Sequence, residues 1–312
     1  MDYSPILLKA PVKDYIWGGR RLIDNFGKES ESTKAAESWE LSTHPDGESI
    51  VISGRYKGKK LSEYIRLNGK ECIGQNAAEF DFFPILIKLI DAKDNLSVQV
   101  HPNDDYALRV EGEYGKTEMW YIVDCKPESY LYYGLNRSVT KDELRSRIEN
   151  NSLLDILNKV PVHKGDIFFI PSGTIHAICS GILICEIQQN SNTTYRLYDY
   201  GRTDKNGNTR ELHISKALDV VNLSPNDKYI PSNSNVLAKC KYFTSEKISC
   251  SDTVMIKSNP DSFQSIIILE GKGELSMNNS KINIKKGNSI FIPAQNGCFT
   301  LSGKIDAILS YI

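Results

Sequence analysis

Apolar positions along the chain fall in short runs, many of them alternating with polar residues and most bounded by Gly, Pro, Asn or Asp. ESWELS at Glu37, ESIVIS at Glu48, FPILIKLI at Phe83, LSVQVH at Leu96, EMWYIVD at Glu118 and SYLYYGL at Ser129 have this form. So do DIFFIP at Asp166, GILICEIQQ at Gly181, TTYRLYDY at Thr193, QSIIILEG at Gln264, GELSM at Gly273, KINI at Lys281 and NSIFIP at Asn288. Their β-branched and aromatic content predicts strands, so the chain is expected to be mainly β. Helical spacing is confined to KLSEYIRL around Tyr64, to the stretch from Thr140 to Lys159, and to HISKALDVV from His213. In the second of these, Thr140 and Glu143 have the spacing of a capping box. The polar segment NLSPNDKYIPSNSN, from Asn222 to Asn235, reads as a linker.

An internal repeat bears on the architecture. KGDIFFIPSGTIHAICSG from Lys164 and KGNSIFIPAQNGCFTLSG from Lys286 align without a gap, displaced by 122 residues. Gly165 matches Gly287, Ile170 matches Ile292, Pro171 matches Pro293 and Gly181 matches Gly303. In each copy a glycine turn opens a strand, a proline ends it and another strand follows, which argues for two copies of one small β-barrel unit. The first copy has His176 where the second has Cys298. Its Gly165, Pro171, Gly173 and His176 resemble the second signature of the cupin family, whose histidine is a metal ligand inside a jelly-roll barrel. Two such barrels with a few short helices are therefore expected. The first would span residues 1–225, with a helical insertion at about 140–159, and a degenerate second one without metal ligands would span 236–312.

In LSVQVH, side chains two apart share a face, so Ser97, Gln99 and His101 point together while Leu96, Val98 and Val100 pack the other side. Polar groups aimed into a barrel need partners. A metal ion supplies one for the ring nitrogens of His101 and His176 and the amide oxygen of Gln99, with a carboxylate to offset the charge. Glu118, opening the next strongly apolar strand, is the carboxylate chosen, and Lys116 shares its face if that strand begins early enough.

Composition narrows the partners. The 312 residues carry 38 Lys and Arg against 39 Asp and Glu, so nothing favours a polyanion, and nucleic acid is not an expected partner. The N-terminal stretch fits neither a secretory signal nor a spanning helix, so no membrane association is expected. Seven cysteines without a CxxC pair suit reduced thiols, and a cytoplasmic location. His44, His163 and His213 sit beside turns or a helix start, where surface exposure or local hydrogen bonding is the expectation.

Taken together, LIKLIDAKDNLSVQVHPND, GKTEMWYIVD, IPSGTIHAI and TTYRLYDYGR, with WGG at Trp17 and ESWELS at Glu37, resemble a type I phosphomannose isomerase of the short bacterial form. The likeness runs in motif order from about Ile6 onward. It implies one zinc ion per chain, held by Gln99, His101, Glu118 and His176, and interconversion of mannose 6-phosphate and fructose 6-phosphate through a cis-enediol. It also implies Arg196 acting at the enediol and Ser97, Lys88 and Arg202 around the phosphate. Glu186 is a candidate base or a structural acceptor that fixes Arg196 or Lys116, and Lys116 is a candidate for proton transfer between the oxygens or for phosphate contact. Flanking apolar residues would raise the pKa of Glu186 by desolvation, which suits a base. Two other classes stay open at this point. Two histidines and a carboxylate also form the facial triad of non-haem iron oxygenases, and a cupin can bind a sugar phosphate without turning it over.

Overall fold

The computed structural model describes residues 3–203, 207–226 and 235–312. The predicted β character is present. Strands of five, six and nine form three antiparallel sheets, with short helices of four to nine residues among the described residues. In the five-stranded sheet, Val98–Val100 lies between Tyr195–Tyr198 and His176–Ile178, followed by Tyr130–Leu135 and Leu157–Pro161. The six-stranded sheet runs Ile167–Ile170, Glu118–Cys125, Ile182–Gln189, Ile85–Ala92, Glu37–Leu41 and Val12–Lys13.

The six-stranded sheet is buried on both faces, which explains why its sequences are almost continuously apolar rather than cleanly alternating. Ile90, Trp120, Ile122, Ile182 and Ile184 form a core with Leu131 and Ile178 of the five-stranded sheet. The alternate residues Ile87, Leu89, Met119, Tyr121, Leu183, Cys185 and Ile187 belong to a larger core shared with Phe263 and with Ile267, Phe291 and Ile308 of the nine-stranded sheet. A third cluster, including Ile266, Ile268, Leu275, Leu301 and Leu309, fills the other side of the nine-stranded sheet. Ile187 is fully buried at the seam between the six- and nine-stranded sheets. Replacing it with Ala should therefore cost about 2–5 kcal/mol of unfolding free energy, read as a lower urea midpoint with an unchanged slope.

Both copies of the repeat fold as expected at their first strand, Ile167–Ile170 in one and Ser289–Ile292 in the other. Gly165 and Gly287 enter these strands with left-handed φ of 94° and 86°, which only glycine adopts without strain. His176 then points inward, whereas its counterpart Cys298 is exposed.

Several expectations need correction. Leu96 precedes the strand Val98–Val100, so strand alternation does not reach it, and it packs with Trp120 and Ile178 on the inner side rather than with Val98 and Val100. The helix expected over 140–159 ends at Glu149. Asn151 adopts a left-handed φ of 60°, Leu153–Ile156 makes a single tighter turn, and Leu157–Pro161 is a strand paired with Tyr130–Leu135. Half of the capping box forms. Thr140 Oγ1 accepts from the Glu143 N–H at 3.1 Å, but the Glu143 carboxylate pairs with Arg137 instead of reaching back. QSIIILEG and GELSM join as one strand, Gln264–Met277. Near the start of the chain, Ile6–Lys9 pairs with Ser289–Ile292 and with Ile50–Val51 in the nine-stranded sheet. Most of the expected linker, residues 227–234, lies outside the described residues.

Candidate metal centre and active site

Cross-strand register assembles the site. In the five-stranded sheet Gln99 is directly opposite His176 on one side and Arg196 on the other, so the three side chains share a face. In the six-stranded sheet Glu186 stands between Trp120 and Lys88, and Lys88 stands opposite Trp39. One strand of that sheet brings Glu118 in beside Gln188.

His101, Glu118 and His176 are at most 1% exposed, and one ligand atom from each lies within 4.8 Å of the others. His176 Nε2 is 3.3 Å from Glu118 Oε1 and His101 Nε2 is 3.8 Å from Glu118 Oε2. Each imidazole donates its Nδ1–H to a backbone carbonyl, His101 to Thr193 at 3.0 Å and His176 to Thr174 at 2.9 Å. That leaves both Nε2 lone pairs aimed at the same place, the arrangement used by metal-bound histidines. Burial pulls the His101 pKa well below its ordinary value and that of His176 down to about 4, so both rings are neutral. Gln99 Nε2 is 3.3 Å from His176 Nε2, and a half-turn of the amide exchanges that nitrogen for Oε1.

A metal ion fits this donor set. His101 Nε2 and both Glu118 oxygens are buried without hydrogen-bond partners, a costly state that a bound cation removes. Burial pushes the Glu118 pKa up to about 8 even with Lys116 Nζ at 3.4 Å, so a further positive charge is needed to hold the carboxylate ionised.

Beside this cluster is a cavity of about 220 Å³ whose lining includes Ser97, Gln99, Lys116, Glu186, Arg196 and Arg210. Lys88 and Glu37 also line it, with Lys88 Nζ at 3.5 Å from both Glu37 and Glu186. Burial alone would lower the Lys88 pKa, but these carboxylates outweigh it and the pKa is raised. For Glu186 the sequence-based expectation is reversed. Burial acts upward as anticipated, yet Lys116, Lys88 and the Trp120 N–H at 2.9 Å outweigh it and the net shift is downward. Its Oε2 is buried and free of hydrogen bonds. Arg196 is pulled below its ordinary pKa by burial and by Arg210. Its Nη1 donates to the Glu211 carbonyl at 2.9 Å and its Nε is unpartnered.

Arg202 does not line this cavity. Its guanidinium donates to the carbonyls of Asp199 and Asn95 and to the Asp199 carboxylate. The same carboxylate holds Arg210, which does line the cavity. Among the other histidines, His163 is exposed as expected, and His213 accepts from the Arg196 backbone N–H at 3.1 Å. His44 is buried, with the expected local hydrogen bond in that its Nδ1 accepts from the Asp46 N–H at 3.2 Å, and its Nε2 faces Glu113.

A second cavity, about 440 Å³ and mostly apolar, is lined by Phe80, Phe82, Phe83 and Tyr114 among others, and it contains none of the candidate ligands. The smaller, polar cavity is the one that joins free buried donors and acceptors to the metal cluster.

Comparison with known proteins places the chain in a family. A model of the phosphomannose isomerase type I catalytic domain matches residues 6–128, and a model of the mannose-6-phosphate isomerase cupin domain matches residues 233–312. Over 321 aligned residues covering 100% of both chains, the protein is 40% identical to mannose-6-phosphate isomerase ManA of Bacillus subtilis. The chain belongs to the type I phosphomannose isomerase family. It is also 36% identical to a mannose-6-phosphate isomerase of Streptococcus mutans, over 99% of this chain and 98% of that one. A crystal structure of the mannose 6-phosphate isomerase from Bacillus subtilis superposes with a TM-score of 0.91 at 39% identity, covering 99% of this chain and 100% of the other.

Within this phosphomannose isomerase fold, sequence inspection missed Glu37 and Arg210. Glu37 sits in ESWELS, where a charge inside a buried strand was the available signal. Arg210 lies in an irregular segment, and only its pairing with Asp199 brings it to the cavity. Among the described residues no helix is long and apolar enough to cross a membrane.

Proposed function

We propose that this protein interconverts mannose 6-phosphate and fructose 6-phosphate at the cavity beside His101, Glu118 and His176, with a single zinc ion held by Gln99, His101, Glu118 and His176. The observation that carries the reading is the buried, unpartnered donor set of His101 and Glu118 next to a cavity lined by Lys116, Glu186 and Arg196. A zinc ion held by these residues would supply Lewis acidity to the reacting end of the sugar.

The remaining steps fall to the chain. Glu186, held as a carboxylate by its cationic neighbours and with Oε2 free, takes the proton from C2 of the aldose and returns it to C1, by way of a cis-enediol. Lys116 moves the proton between O2 and O1. Arg196 stabilises the negative charge that builds on the enediol oxygen. Ser97 and Arg210 meet the phosphate at the cavity wall, Arg202 acts through Asp199, and Lys88, placed between Glu37 and Glu186, helps keep Glu186 ionised while adding to the positive field.

In this proposal residues 1–225 supply the catalytic jelly-roll barrel, apart from Ile6–Lys9 and Ile50–Val51, which extend the second, metal-free barrel of residues 236–312 that backs the six-stranded sheet. The substrate is a small sugar phosphate in the cytoplasm, with no nucleic-acid or membrane partner. The oxygenase reading is disfavoured by the basic groups Lys116, Arg196 and Arg210 around the cavity, and the pure binding reading by the free carboxylate oxygen of Glu186.

The test is a coupled assay of fructose 6-phosphate formed from mannose 6-phosphate, before and after chelation and with zinc added back. Activity lost to the chelator and restored by zinc is the expected result. No turnover by protein with its metal bound would sink the proposal.

A further inference from the structure

The two candidate histidine ligands are oriented in different ways. His176 donates to the carbonyl of Thr174, two residues away on its own segment, so its ring is set locally. His101 lies just beyond the end of Val98–Val100 and takes its acceptor from Thr193, 92 residues further along the chain. A ring oriented by so distant a carbonyl is only as well placed as the turn that carries it.

Gln188 Nε2 donates to the Ser191 carbonyl and Asn192 Nδ2 to Asp46, but one carboxylate bonds all three residues of that turn. Glu113 Oε2 accepts from Ser191 Oγ at 3.2 Å, from the Asn192 backbone N–H at 3.1 Å and from Thr193 Oγ1 at 3.2 Å. Its other oxygen, Oε1, faces His44 Nε2 at 3.3 Å. The Thr193 N–H also donates to Ser191 Oγ at 3.2 Å, closing the turn on itself. None of the hydrogen bonds of the carboxylate goes to a metal ligand. The Thr193 carbonyl links it directly to His101, the Ser191 carbonyl accepts from Gln188 opposite Glu118, and Asn192 of the same turn lines the substrate cavity. We propose that Glu113 is a positioning residue for the metal centre, locking the turn 191–193 so that Thr193 fixes the tautomer and ring plane of His101. This rests on the metal-centre reading above and adds a residue to it. Outer contacts that orient a metal-bound histidine typically matter by about 10- to 100-fold in metal affinity.

The experiment compares wild type, E113A, E113Q and E111Q as full chains. Glu111 is a nearby carboxylate that holds Tyr195 and Lys216 instead. Zinc affinity is measured by competition with a chromophoric chelator, and the ligand field by the visible spectrum of the cobalt-substituted protein. E113A is expected to bind zinc about 10- to 100-fold more weakly and to show an altered cobalt spectrum. E113Q should lose less, because its amide oxygen can still accept from the Asn192 N–H, and E111Q should match wild type. If E113A does not fold, the comparison of E113Q with T193V, which removes one donor to Glu113 but keeps the carbonyl, carries the test with the same readouts. Wild-type affinity and spectrum in E113A, or in both E113Q and T193V, would overturn the positioning role alone. A wild-type chain that binds neither ion overturns the metal centre and this inference with it.

Discussion

Replacing Glu118 with Gln is expected to empty the metal site and lower kcat/KM by on the order of 10³-fold or more, since a Lewis acid at the reacting oxygens is worth several kcal/mol. The substitution changes one buried oxygen and little of the shape. It removes the only negative charge within the set that also contains His101 and His176. Metal content after dialysis and turnover with excess zinc are the two measurements, and retained metal with retained turnover would refute the role. The metal-free protein offers a second readout. Its Glu118 pKa is raised from 4.5 to about 8, chiefly by burial, so the folded chain holds a proton that the unfolded chain has already released. Stability of the metal-free wild type should therefore fall as pH rises from about 4.5 toward about 8. E118Q should flatten that slope, because its amide does not ionise. Loss of activity without loss of fold would then be plain in one set of melts.

Arg196→Ala is expected to lower kcat by about 10²- to 10³-fold while leaving KM within a few-fold, the pattern of a donor that acts at the transition state more than on the bound sugar. The guanidinium is positioned for this. It stands one strand from Gln99 and two from His176, its Nη1 is anchored to the Glu211 carbonyl, and its buried Nε has no partner. Arg196→Lys should recover only part of the loss, since an ammonium cannot keep the Glu211 contact and present a second donor in the same plane. Steady-state kinetics in the direction of fructose 6-phosphate formation separate the two parameters. An unchanged kcat with a raised KM would move Arg196 from the reaction to phosphate binding.

What the sequence reveals follows from the range of the interactions involved. Gln99 and His101 are legible because residues two apart share a face. His176 is legible because a glycine, a proline and a second glycine fix its turn, and the repeat sets it against Cys298. The network of Glu37, Lys88 and Glu186 is not legible, because it exists only once three strands pair in register. The direction of the Glu186 shift was missed for the same reason, since the flanking apolar residues were visible and the lysines across the sheet were not. Thr140 marked where a helix starts, but its end depended on Asn151 turning left-handed and on Leu157–Pro161 finding a sheet edge. Arg202 and Arg210 show the limit for irregular segments, where both arginines reach one aspartate and only one of them reaches the cavity.

The pairing of Ile6–Lys9 with Ser289–Ile292 also sets a clock on biosynthesis. Ile6 is made some 285 residues before its partner Phe291. At roughly 5–20 residues per second, the early strand waits about 15 to 60 seconds at the ribosome. From the moment each is made until the end of that interval, Ile87, Leu89, Met119 and Ile187 lack the later strands of the nine-stranded sheet that cover them. The five- and six-stranded sheets can pair their own strands early, but the apolar back of the six-stranded sheet closes only once the strands that follow Val236 are made, so the nascent chain carries an exposed apolar face for much of its synthesis.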